Sequence, residues 1–275
     1  MKLNDMKQDE SVTGIFFGPS GTGKTALLGS GGDRNLIVCP ANGVVTLLSK
    51  WYKDTMKMNP YIEIVDEEPI PDGAKGYDMV SEKIEEYFEK HLDEFDTFCV
   101  DDCTNLRRMA MNKGLEVNQK LNRSQSLTKY VKNNQIIIRE QQDYNIEMGF
   151  IEQFMRHWTM TAKNYKKNFF ITAHERLEWK KAEKIGGEDT VLKNRPGFTG
   201  KTFPSDITGL FDLTWHLETL GSGDRVFYQI RTQGSSIIEA KTRWGGIFPP
   251  LIERAPTLLV ILDHIKNQKP YTNTR

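Results

Sequence analysis

Residues 18–25, Gly18-Pro19-Ser20-Gly21-Thr22-Gly23-Lys24-Thr25, fit the pattern GxxxxGK[ST], and their flanks constrain the chain as much as the pattern does. An apolar run at 12–17 (VTGIFF) precedes them and reads as a buried strand. Residues 25–28 follow as the start of a helix. A glycine-rich turn in that setting brings backbone N–H groups together on phosphate oxygens at a helix N-terminus. Lys24 would then reach the β- and γ-phosphates of a nucleoside triphosphate, and Thr25 would ligate Mg²⁺. The bland alternative, a chance glycine-rich turn, does not account for the strand before it and the helix after it.

Downstream, strands alternate with helical patterns. Residues 35–39 (NLIVC), 61–65, 97–100 (TFCV) and 168–172 (NFFIT) read as strands. A short helix is expected within 44–51. An acidic helix is expected within 78–96, with Met79, Ile84, Tyr87, Phe88, Leu92 and Phe95 inward, and a longer one at 145–165. This order predicts an α/β domain, a mostly parallel sheet with helices on both faces. From Phe211 the short strands LFDLTWHLE, RVFYQIR and SIIEAK suggest an antiparallel C-terminal extension, closed by an amphipathic helix at 257–266. The whole chain is expected to be one domain: a nucleotide-binding core at 12–175, a basic loop at 176–204, the extension at 205–250 and the terminal helix and tail.

Asp101 ends TFCV and fits a carboxylate that orients the Mg²⁺ shell beside Lys24. Asp102 follows; it either polarises water or caps the next helix. His174, at the end of NFFIT, either senses the γ-phosphate or is satisfied by backbone groups. Lys241 and Arg243, spaced i, i+2, would share one strand face and point at one phosphate, or form a solvated edge pair. No His/Cys/carboxylate spacing suggests a structural metal, and no GxSxG suggests a serine hydrolase.

Lys+Arg and Asp+Glu both number 37, so no global field draws the chain to a polyanion; the distribution is what matters. Residues 54–102 hold sixteen carboxylates against four lysines, whereas 104–140 hold eight cations against Glu116 and Glu140. A second basic stretch, 176–201, carries Trp179 and Phe198. Arg107, Arg108, Arg176, Lys180, Lys181, Lys193 and Arg195 are candidate DNA phosphate contacts, and Trp179 a base-stacking one; for Phe198 a core or lid contact is the stronger reading. Three cysteines are too few for a disulfide framework, and no eighteen-residue apolar run or secretory leader is evident, which suits the cytoplasm.

Taken together, GPSGTGKT, DTFCVDDCTNL, NFFITAHE and EAKTRWGGIFP resemble the RecA-fold ATPases, in particular phage-encoded RecA-like proteins of single-strand annealing and recombination. KTRWG is similar to the KNRFG motif of RadA and the KxRxG segment of DnaB-type helicases, whose lysine and arginine act across a subunit boundary. The resemblance implies ATP and Mg²⁺ as cofactors, single-stranded DNA and a ring or filament of copies as partners, and a single-strand-binding protein as a further one. It carries catalytic roles in trans to Lys241 and Arg243, and DNA loops to the two basic segments. One departure stands out. The glutamate common after the second strand is missing: CPANGVV has Ala41 or Asn42 there. A helicase loader or protein-remodelling ATPase and a P-loop small-molecule kinase remain as alternatives.

Overall fold

The computed structural model describes residues 11–40, 44–65, 75–121, 131–132, 135–136, 141–180, 190–200, 203–221 and 227–273. The expectations about Ala41, Asn42 and Lys181 lie outside them.

Strand β1 (Thr13–Gly18) is buried along its whole length and sits in the middle of a ten-stranded sheet. Its neighbours are β7 (Asn168–Lys180) on one side and β9 (Leu213–Leu220) on the other, both parallel to it. Beyond β7 follow β4 (Thr97–Val100), β2 (Asn35–Pro40) and β3 (Tyr61–Val65), all parallel. Beyond β9 the direction changes: β10 (Phe227–Arg231) and β12 (Leu251–Ile252) run antiparallel, and the short β11 (Lys241–Thr242) also pairs antiparallel with β9. The chain leaves β1 toward β2, across β7 and β4, while β9 lies on the other side. The carboxyl end of β1 is therefore a topological switch point, where a crevice opens.

Alternate strand residues face two apolar cores. On one face, Ile15, Phe17, Phe169 and Ile171 meet α4 (Lys75–Lys90), α5 (Cys103–Leu121) and α6 (Gln141–Asn164) through Ile84, Phe88, Leu106, Phe154 and Trp158. On the other, Phe16, Phe170, Trp215 and Leu217 meet α1 (Lys24–Gly29), α3 (Lys50–Met56) and α8 (Leu258–Lys266). Each such side chain contributes about 1.5–3 kcal/mol by leaving water, which is why near-continuous apolar runs became central strands.

Four expectations are corrected. The helix within 44–51 is two pieces, α2 (Val45–Leu48) and α3, because Ser49 is extended and caps Tyr52 N. In α4, Val80 is buried while Met79 is 36 % exposed; the helix turns Tyr77, Val80, Ile84 and Phe88 inward instead. The segment at 176–204 is not one loop: β7 runs on past the sheet and pairs with β8 (Thr190–Pro196), with a bulge at Glu178/Trp179, before α7 (Phe203–Leu210). LFDLTWHLE is parallel to β1, since α7 provides the crossover that a parallel connection needs, so the antiparallel extension begins only at β10.

Candidate functional site

The turn from β1 into α1 is shaped by its glycines. Gly21 and Gly23 both hold φ +80, a left-handed conformation that favours glycine. A Cβ on Gly18 would collide with the carbonyl oxygen of Leu217 on β9, and one on Gly23 would come within 3.2 Å of the Tyr228 ring. Ser20 and Gly21 are exposed at the tip; behind them Thr22 Oγ1 donates to Pro19 O (2.9 Å). Lys24 is only 8 % exposed, and its Nζ donates to Gly18 O (3.0 Å) and Pro19 O (2.6 Å). Burial pushes its ammonium pKa down, while Asp101, Asp102 and Glu175 nearby pull it up.

Asp101 leaves the end of β4 beside this loop, 3 % exposed. Its Oδ1 accepts from Thr172 Oγ1 on β7, and its Oδ2 is buried with no hydrogen-bond partner. Burial pushes the carboxyl pKa up; the hydrogen bond from Thr172, the nearby Thr25 hydroxyl and the charge of Lys24 oppose this only in part. A buried oxygen without a partner, flanked by a threonine hydroxyl and an ammonium, suits a hard divalent cation. Thr25 and Asp101 thus fit Mg²⁺, and the loop 18–24 with Lys24 fits the phosphates of a nucleotide.

Asp102 does two things at once. Its Oδ1 accepts from Asn105 N (2.8 Å), capping α5, and its Oδ2 lies 3.4 Å from His174 Nε2. Both side chains line a cleft of about 780 Å³ shared with the 20–27 turn, Asp101 and a wall of Trp51, Met56, Phe227, Tyr228 and Arg254. That wall escaped the sequence reading: its residues come from α3, β10 and the segment before α8 and share no motif.

Lys241 and Arg243 lie at the opposite end of the sheet. Arg243 Nη1 donates to Asp212 Oδ1 (2.9 Å), and Asp212 Oδ2 accepts from Thr13 N (2.9 Å) and Thr13 Oγ1 (2.7 Å) at the start of β1. Lys163 Nζ shares Asp212 Oδ1 at 3.1 Å. Lys241 is half-buried, and desolvation together with Arg243 lowers its pKa. From Thr13 to Gly18 is about 17 Å of strand, so neither cation reaches the cleft of its own subunit.

The basic segments divide into internal and outward arginines. Arg107, expected to contact DNA, instead donates from Nε to Glu147 Oε1 (2.6 Å) and from its terminal nitrogens to Gly197 O and Thr199 Oγ1, tying α5 to α6 and to the end of β8. Arg195 is 3 % exposed and paired with Glu178 across the hairpin; desolvation and its partner take it out of reach of solvent phosphates. Phe198 is fully buried in the core. Arg108, Arg176, Lys193 and Trp179 face outward, Trp179 at 53 % exposure. Arg176 also donates to Phe198 O (2.9 Å). Lys180 lies on β7 without a described side chain.

A glycine-rich turn on a central parallel strand, a magnesium-competent aspartate two strands away, one strand between them carrying His174 level with Gly18, and antiparallel strands added beyond β9 define a RecA-like P-loop NTPase. A family model described as AAA domain matches residues 10–244, and the chain belongs to that family. The flagellar accessory protein FlaH from Methanocaldococcus jannaschii is similar over 90% of this chain and 87% of its own, at 11% identity and a TM-score of 0.41. No curated protein sequence matches the chain. Among the described residues, no helix is long and apolar enough to cross a membrane.

Proposed function

We propose that this protein is a Mg²⁺-dependent ATPase that binds single-stranded DNA, assembles with copies of itself, and serves annealing or recombination of phage DNA in the host cytoplasm. The observation that carries the reading is the 3.4 Å approach of His174 to Asp102. It joins the end of β4, just before α5, to the point on β7 where that strand leaves β1 and enters the β7–β8 hairpin, and α5 and the hairpin begin the two basic segments. A change at the phosphate end of the cleft is felt at the roots of both.

Within the site, Lys24 neutralises phosphate charge, and Thr25 with Asp101 holds the metal, which would draw electron density from the phosphate oxygens. Asp102 is the carboxylate placed to orient a water and accept its proton, with the imidazole of His174 at its other oxygen. This fills the role of the glutamate missing after β2. Arg108, Arg176, Lys180, Lys181 and Lys193 supply phosphate contacts, and Trp179 a stacking face. Lys241 and Arg243 serve a neighbouring subunit's nucleotide, a role supported by their distance from their own.

A second reading has its own support. Leu177, Trp179 and Leu192 are exposed together on the β7–β8 hairpin, at 38 %, 53 % and 49 %, an apolar stripe equally suited to a protein partner such as a helicase to be loaded. ATP turnover with and without single-stranded DNA, for wild type, Lys24→Ala and Arg243→Ala, separates the two. DNA-stimulated turnover lost in both variants supports the DNA motor. Turnover indifferent to DNA and to Arg243 moves the assignment to a protein-directed ATPase.

A further inference from the structure

Asn194 on β8 is buried and faces two ways. Its side-chain Nδ2 donates to Glu175 Oε2 on β7 (2.7 Å), and that oxygen lies 3.0 Å from His216 Nε2 on β9. Phe17 on β1 covers the imidazole, with ring centroids 4.9 Å apart. This cluster fixes β8 against three strands of the sheet. In the β7–β8 ladder Asn194 stands opposite Leu177, but its backbone turns away from β7 to residues 237–239. Asn194 N donates to Ile237 O (2.7 Å), and Glu239 N donates to Asn194 O (2.9 Å). Residues 232–240 join β10 to β11 and so lead into Lys241 and Arg243. Thr232 is tied to Pro249 O and Pro250 O at one end, and Lys241 pairs with Thr214 on β9 at the other. Among the described residues, the hydrogen bonds that leave the segment between these points go to Asn194 and, through the Glu239 carboxylate, to Ser205 and Thr208 on α7. The remainder closes on itself: Ser235 N donates to Ile238 O (2.9 Å), and Ser235 Oγ accepts from Ile237 N and Ile238 N. A loop bonded to itself in this way moves as a unit, so the group that holds it sets where the following residues point.

We propose that Asn194 is a positioning residue for Lys241 and Arg243: anchored by Glu175 and His216, it holds residues 237–239 and so aims both cations at the neighbouring copy's nucleotide. The inference rests on the role in trans given to those cations under the proposed function. A cation stabilises a transferring phosphoryl group only from the right place, and a misplacement of about 1 Å costs about 100-fold in rate. Asn194 acts on that placement from a strand that carries neither cation.

MgATP turnover of wild type, Lys24→Ala, Arg243→Ala, Asn194→Thr and Asn194→Ala, each alone and co-assembled in equal amounts with Lys24→Ala, tests this. Threonine suits a strand but is too short to reach Glu175, and alanine removes the polar group altogether. Alone, both Asn194 variants are expected to lose about tenfold in kcat with KM for ATP near wild type, as misaimed cations would. Lys24→Ala copies carry sound Lys241 and Arg243, so on random mixing about a quarter of the interfaces join a sound phosphate loop to sound cations. At equal total protein the Asn194 mixtures should therefore turn over about twofold or more faster than the variant alone. Amide exchange at Glu239, whose N–H donates to Asn194 O, should speed up about tenfold in both variants while β1 stays protected. Unchanged kcat or unchanged exchange at Glu239 would overturn the inference. So would protection lost throughout the sheet, which makes Asn194 a plain structural residue, or mixtures slower than the variant alone, which place the effect in its own site. Failure of Arg243→Ala to recover with Lys24→Ala would sink the reading in trans, and the inference with it; recovery there and none for Asn194 would sink the inference alone.

Discussion

Asp101 and Asp212 are equally hidden, at 3 % and 4 % exposure, and sit at opposite ends of the same sheet, yet they are finished differently. Asp212 is saturated: Thr13 takes one oxygen through its N–H and hydroxyl, and Lys163 and Arg243 take the other. Asp101 keeps Oδ2 without a partner, and its carboxyl is held above the usual carboxylate range by burial. A buried carboxylate whose every lone pair is used holds a fold together. One left unfinished beside a phosphate-binding turn costs stability and reserves a place for a cation.

The sharpest way to break the contrast is to exchange each aspartate for a residue that cannot carry the charge. Asp101→Asn is expected to lower Mg²⁺-dependent ATP turnover about 100-fold or more, since it removes the metal's carboxylate. Urea unfolding of the same variant should show stability unchanged or slightly raised; a clear loss would mean that Asp101 is structural after all. Asp212→Ala is expected to do the reverse. Leaving the buried Thr13 N–H and hydroxyl without their acceptor should cost about 3–4 kcal/mol in denaturant unfolding, and ATP affinity of the folded fraction should stay near wild type.

A smaller effect is expected at Arg107, whose Glu147 partner is only 3 % exposed. Arg107→Ala should destabilise by about 2–3 kcal/mol without changing the salt dependence of DNA binding, because that arginine points inward. Arg176→Ala, by contrast, should reduce the slope of log affinity against log salt by about 1. Equal slopes for wild type and Arg176→Ala would remove the β7–β8 hairpin from the proposed DNA surface.

The pH response sharpens the comparison further. The Asp101 pKa is raised in the folded state from its usual 3.8, so the folded protein binds the proton more tightly than the unfolded chain does. Its contribution to stability is therefore most favourable below the unfolded pKa and is lost as pH rises through the folded one. Mg²⁺ needs the deprotonated form, so metal affinity should fall at a pH above the ordinary carboxylate range. Metal titrations from pH 7 downward check this. In Asp101→Asn the stability term should vanish from the unfolding curve.

Much of the site could be read along the chain because its parts are local. Gly18 to Thr25 form one turn, and Asp101, Asp102 and His174 each end an apolar run that could only be a buried strand. That local order marked which residues fit a phosphate and determined that the sheet is parallel around them. The chain order also separated the acidic from the basic segments. Tertiary structure decided which of the cations are available. Arg107 and Arg195 look no different from Arg176 and Lys193 in sequence, but Glu147 and Glu178 come from distant or cross-strand positions and claim the first two. In the same way Asp212 holds Arg243, and Phe227 meets Arg254, through contacts that no spacing encodes. Apolar burial acts through periodicity, which a sequence displays. Ion pairs and ring stacks depend on a few ångströms between groups far apart in the chain, and only the folded sheet sets those distances.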